Sequence, residues 1–194
     1  YNSTMISERS LRNTYFPAFK AAADAGAATL MTSFNEIDGI PSTGNKWLLK
    51  DVLRDEWGWE GMVVTDWNSA GEMIAHGFSR DLKHTTEQAV NAGVDMAMIP
   101  YDVNFCTLLM EAVEEGLVSR ERIDDAARRI IRVKVRLGLD DTPNTYLKDY
   151  PEFQGETIKE ACYESACESI TLLKNNDNIL PLKRDAKVLV AGPN

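Results

Sequence analysis

The sequence predicts an α/β protein made of parallel β/α units, and three observations carry that prediction. Three short β-type runs, "AATLMTSF" at 27–34, "GMVVTD" at 61–66 and "GVDMAM" at 93–98, recur at a spacing of about 32 residues. Helical patterns with their own start and stop residues lie between and after these runs. The chain of 194 residues is 44% hydrophobic and 26% charged, enough for one globular domain with a core or for pieces of two. Strand, loop and helix at this period build either a doubly wound sheet or a (β/α)8 barrel, and both carry ligands at the carboxyl ends of their strands. Phe34, Asp66 and the region of Met98 occupy those ends. A whole barrel takes roughly 250 residues, so three units are at most the closing portion of one.

Each element has a local justification. Ser7 is placed to cap a first helix carrying Leu11, Tyr15, Phe19 and Ala22 on one face, and Pro17 should kink or split it. After the first strand, Leu48, Leu49, Val52 and Leu53 make an apolar face at i, i+1, i+4 and i+5, and Gly58 supplies a left-handed stop. The second strand follows, then "HTTEQAVNAG", a shorter helix that ends at Gly93 before the third run. "FCTLLMEAVEEG" sets Phe105, Leu108, Leu109, Ala112 and Val113 on one side before Gly116. Ser119 caps a longer helix with the face Ile123, Ala126, Ala127, Ile130, Val133 and Leu137, closed by Gly138. From Asp140 to Gly155 the chain loses periodicity and reads as a linker. A helix at 156–168, a strand in "SITLLKNN", a turn and a strand in "AKVLVAG" then open a second, truncated α/β domain. Gly192, Pro193 and Asn194 lack the spacing of a phosphate loop and read as a strand-to-loop turn.

Composition narrows the chemistry. Lys and Arg number 21 against 30 Asp and Glu, a net charge of −9 without a basic stripe, so nucleic acid is not expected as a partner. Cys106, Cys162 and Cys167 follow no CxxC or paired spacing, and His76 and His84 are the only histidines. Neither a zinc site nor a disulfide framework is expected. No apolar run has the length of a bilayer crossing. Trp47, Trp57 and Trp59 are read as packing residues, Asp95 as a strand-end loop anchor with lining of the site as the alternative, and Glu111, Glu114 and Glu115 as a solvated helix face. Neither histidine is expected to be catalytic.

In "GMVVTDWNSAG" an apolar run abuts Asp66 and Trp67. A carboxylate at the end of a buried strand is costly to desolvate, so something must make use of it. Asp66 either caps the following loop through Asn68 and Ser69, or is a fixed anion with Trp67 as a flat apolar face beside it. The second arrangement suits a sugar ring, whose CH-rich side packs on an aromatic surface while the charge faces the anomeric carbon. A Schiff-base enzyme would place a Lys at a strand end and a nicotinamide enzyme a Gly-rich turn, and neither is present.

Four blocks, "SERSLRNTYFPAFKAAADAGAATLMTSFNEIDGIP", "LLKDVLRDEWGWEGMVVTDW", "AGVDMAM" and "ESITLLKNNDNILPL", resemble successive blocks of glycoside hydrolase family 3 in order and interval. The resemblance implies that residues 1–139 are the later part of a (β/α)8 catalytic barrel, 140–155 a linker, and 156–194 the start of an α/β sandwich domain. It implies a retaining β-glycosidase that releases β-linked glucose or xylose, with Asp66 as nucleophile, Trp67 as sugar platform, and Met31 and Phe34 lining the sugar site. Thr65 stands where the family more often has Ser, and Phe34 where it has Tyr, which removes one hydroxyl from the site. The general acid/base is expected outside the chain, no cofactor or metal is implied, and a secreted or periplasmic location follows family habit. A glycoside phosphorylase and a non-catalytic carbohydrate-binding homologue stay as alternatives.

Overall fold

The computed structural model describes residues 3–101, 103–153 and 155–192. The chain divides into two compact units, Tyr1–Pro143 and Asn144–Asn194.

The first unit is built on a parallel pair, β2 (Thr29–Met31) and β5 (Met62–Val64), in the register Thr29 to Met62 and Met31 to Val64. β1 (Ser3–Thr4), β3 (Glu36–Ile37) and β4 (Ile40–Pro41) form a second small sheet beside the loop that leaves β2. Its hairpin turns on Asp38 and Gly39, both at positive φ (50° and 81°), the pairing that matches the twist of two strands. The third expected strand is reduced to one parallel bridge, Val64 to Met96. Side chains explain the shortening, because they replace ladder partners on both sides of the bridge. The Val63 N–H donates to Asp95 Oδ2 at 2.8 Å, and the Met98 N–H donates to Thr65 Oγ1 at 2.7 Å.

Helices cover one face of this sheet. α1 (Glu8–Ser10) is capped by Ser7, whose Oγ accepts from the Ser10 N–H at 3.2 Å. It passes through a wide turn, Leu11–Tyr15, into α2 (Phe16–Asp24), with Pro17 in the first turn of α2. The expected split at Pro17 is present, but the expected face is not: Tyr15 and Phe19 are exposed and Leu11 is buried. A wide turn adds one residue per revolution, so the inward position after Leu11 is Phe16, which packs edge-on against Trp57 at 5.5 Å and tilted against Trp47 at 5.8 Å. The helix Trp47–Glu56 is also wide-turned and buries Leu49, Val52 and Leu53.

α3 (Ser69–Ala75), α4 (Leu82–Ala92), α5 (Asn104–Glu114) and α6 (Arg120–Arg136) complete the layer. Asp81 and Ser119 cap α4 and α6 through the N–H groups of His84 and Arg122. The glycine stops lie where expected, at Gly58, Gly93, Gly116 and Gly138, all at positive φ. One core gathers Leu49, Leu53, Trp59, Val63, Met73, Ala89, Ala92 and Val94, and a second gathers Val90, Ala112 and Val118 with Phe105, Leu109, Val113 and Ile123 packed on it. Each fully buried Leu, Val or Met side chain among them contributes about 1.5–3 kcal/mol. α6 departs from its expected face, since Ala127 and Leu137 are exposed while Arg122, Asp125 and Arg129 turn inward.

In the second unit α7 (Glu156–Ser169) forms where expected. The strands read in "SITLLKNN" and "AKVLVAG" do not form among the described residues, and Leu173, Leu189 and Val190 are about nine-tenths exposed. A strand exists only through a partner's N–H and C=O groups, and the two runs do not pair with each other. The turn read at Gly192–Asn194 reaches Pro193 and Asn194, outside the described residues.

Candidate active site

The site grows out of the end of β5. Thr65, fully buried, keeps the chain extended by accepting the Met98 N–H, and Asp66 follows at the point where no further ladder partner is available. Asp66 Oδ1 accepts the Trp67 N–H at 2.6 Å, and its carbonyl accepts the Ser69 N–H at 3.1 Å. Between them Asn68 adopts the left-handed conformation (φ 55°, ψ 15°), which Asn tolerates better than most residues, and donates its N–H to the Met98 carbonyl at 2.8 Å. This tight turn starts α3 and leaves the Trp67 indole 54% exposed.

Asp66 is half-buried, and among the described residues no lysine or arginine pairs with it. Successive strand residues alternate in direction, so Asp66 shares a face with Val64, and through the strand register with Met31 and Met96. That face is turned away from the helices, with Met31 at 52% and Met96 at 48% exposure. Phe34, half-buried, lies in the loop between β2 and β3. The structure thus sets Met31 beside Val64, the last residue of β5, two residues before Asp66, with Phe34 three residues further along from Met31.

Asp95 is not on that face. Its side chain is completely buried and accepts from Arg54 Nη2 at 2.6 Å, from Arg122 Nη2 and from the Val63 N–H. Burial pulls the Arg54 guanidinium below its ordinary value, opposed by the charge of Asp95. This cluster sits where β5 begins, since Arg54 and Arg129 also donate to the Gly61 carbonyl. Asp95 is therefore an anchor, but of two arginines and the start of β5 rather than of a strand-end loop.

Sequence reasoning missed the polar groups that brace the turn. Thr32, Thr43 and Ser69 form a buried line of hydroxyls behind it, and His76 Nδ1 lies 3.2 Å from Glu36 Oε2. Of these residues only Glu36 belongs to the β3–β4 hairpin, whose Asp-Gly pair is a turn signal in the sequence. Among the described residues no group of three His, Cys, Asp or Glu side chains could hold a metal ion. Likewise no helix among them is long and apolar enough to cross a membrane.

Asp66 and the exposed Trp67 thus follow β5 at the carboxyl edge of a parallel pair in a mixed α/β domain. Residues 1–133 match the model of the glycosyl hydrolase family 3 N terminal domain, and the chain belongs to that family. It is 38% identical to the periplasmic beta-glucosidase of Salmonella typhimurium, covering 100% of this chain and 26% of that protein. It is 36% identical to a beta-xylosidase of Formosa agariphila, covering 97% of this chain and 28% of that one. The crystal structure of a beta-glucosidase from Listeria innocua in complex with glucose superposes with a TM-score of 0.78 at 36% identity, over 96% of this chain and 26% of that chain. The chain thus spans about a quarter of the length of the relatives it matches.

Proposed function

We propose that this chain supplies the nucleophile side of a retaining β-glycosidase that releases glucose or xylose from β-linked oligosaccharides. The observation that carries the reading is Asp66 two residues past the end of β5, without a cationic partner among the described residues and followed by the exposed Trp67. In this mechanism the Asp66 carboxylate attacks the anomeric carbon, the glycosidic C–O bond breaks, and a glycosyl ester forms on the side chain. A second carboxyl group about 5 Å away protonates the departing oxygen and then takes a proton from the water that cleaves the ester. That group lies outside this chain on our reading. Trp67 packs on the sugar's apolar face, while Met31 and Phe34 shape the pocket.

Names of relatives support the sugar class, and a related structure has been determined with glucose and another with laminaribiose. The exposed Met31 and Met96, which share a face with half-buried Val64, support reading residues 1–139 as the later part of a (β/α)8 barrel, because parallel sheets are covered on both faces. Residues 140–155 are then a linker and 156–194 the start of an α/β sandwich domain. The name of the periplasmic relative supports a secreted or periplasmic location.

The test uses a full-length polypeptide that carries this chain, incubated with a 2-deoxy-2-fluoro aryl β-glycoside. Peptide mass mapping is expected to find the label on Asp66, and Asp66→Asn is expected to lose at least about 10³-fold in kcat. Label on another residue, or full turnover by the Asn variant, removes the assignment.

A further inference from the structure

We propose that Thr43 is a positioning residue for Asp66, acting through a closed ring of hydrogen bonds, a role that rests on the reading of Asp66 as nucleophile. The ring starts on β5, where the Val64 carbonyl accepts the Thr32 N–H at 3.0 Å. Thr32 Oγ1 lies 2.8 Å from Thr43 Oγ1, which lies 2.8 Å from Ser69 Oγ. The Ser69 N–H donates to the Asp66 carbonyl at 3.1 Å, and Asp66 is joined covalently through Thr65 to Val64. All three hydroxyls are buried, at 3%, 1% and 3% exposure.

Thr43 is the keystone because it belongs to neither of the elements it joins. It sits on the helical turn Ser42–Gly44 that follows β4, between the end of β2 and the start of α3. A hydroxyl carries one proton and two lone pairs, so Thr43 can donate to one neighbour while accepting from the other. Its own position is fixed independently. Ser42 Oγ donates to the Asn35 carbonyl at 2.8 Å, and a Cβ on Gly44 would lie 2.9 Å from Met73 Sδ and 2.7 Å from Phe78. The turn is thus pressed against α3 from behind.

The ring acts on the carboxylate through the backbone. The Asp66 side chain is oriented by the Trp67 N–H, so its aim depends on the 66–69 turn. That turn contains left-handed Asn68, a conformation which persists where surrounding contacts hold it. Removing the Thr43 hydroxyl leaves two other buried hydroxyls short of a partner, and the turn is the part free to move to recover one.

The experiment measures kcat, KM and Tm on an aryl β-glycoside, using a full-length polypeptide that carries this chain. Thr43→Val is expected to lower kcat about 10- to 100-fold with KM changed less than about threefold. Thr43→Ser should restore most of the rate. Val118→Ala, in the second core and away from the ring, should lower Tm while leaving kcat unchanged. If Thr43→Val does not fold, Ser69→Ala carries the same expectation. A Val variant with parental kcat, a Ser variant as slow as Val, or a Val118→Ala variant slowed in proportion to its lost Tm would each overturn the role. If Asp66→Asn keeps its turnover, the nucleophile reading and this proposal fall together; if it is inert while Thr43→Val is fully active, only the positioning role falls.

Discussion

At the scale of single residues, Asp95 shows how far a side chain's task can lie from its sequence neighbourhood. It is completely buried, and its two guanidinium partners stand 41 and 27 residues away in the chain. Asp95→Ala leaves Arg54, itself 9% exposed, as an uncompensated buried cation, and such losses cost about 3–5 kcal/mol. Urea denaturation should show that loss as a lower midpoint. Gly61 is constrained in another way: a Cβ there would lie 2.1 Å from the Trp59 ring and 2.6 Å from the Ala28 carbonyl. Gly61→Ala should cost about 1–3 kcal/mol, read as a drop in Tm. Asp66 and Trp67 could be picked out beforehand because a strand-like run ends abruptly on them. Thr43 could not, because a lone threonine in a turn gives no sign of the two hydroxyls it meets, one of them 26 residues away.

At the scale of elements, capping was legible and phase was not. Ser7, Ser119 and the stop glycines behave as their chemistry requires, since a cap depends on residues three or four apart. The buried side of the first helix could not be foreseen, because one wide turn rotates everything after it. α6 misled for a different reason: its inward arginines serve backbone carbonyls, and hydropathy counts them as solvent-facing. α4 offers a test of pH dependence. The His84 N–H bond, helped by Arg80, holds the Asp81 carboxyl below its ordinary value. A depressed carboxyl stabilises the fold above its unfolded value near pH 3.9, and that contribution disappears as pH falls through the folded value. Asp81→Ala should therefore lower Tm at neutral pH, with the gap between variant and parent closing as the solution is acidified below about pH 4.

At the scale of the molecule, the succession of parallel β/α units was readable because its period is set by the length of a strand, a helix and two turns. The second unit was readable only as far as α7, since strand pairing is a property of two segments and a sequence run describes one. What the local pattern also hid is that the units of the first region are not independent modules. Arg54 precedes β5, Asp95 opens the third run, and Arg122 and Arg129 belong to α6. Each contributes part of one buried cluster that holds the entry to β5 through the Gly61 carbonyl. Anyone recombining this region with a homologue's gene would do well to place crossovers before residue 54 or after residue 129, because a splice between them can separate a buried ion from the counter-ions it was selected with.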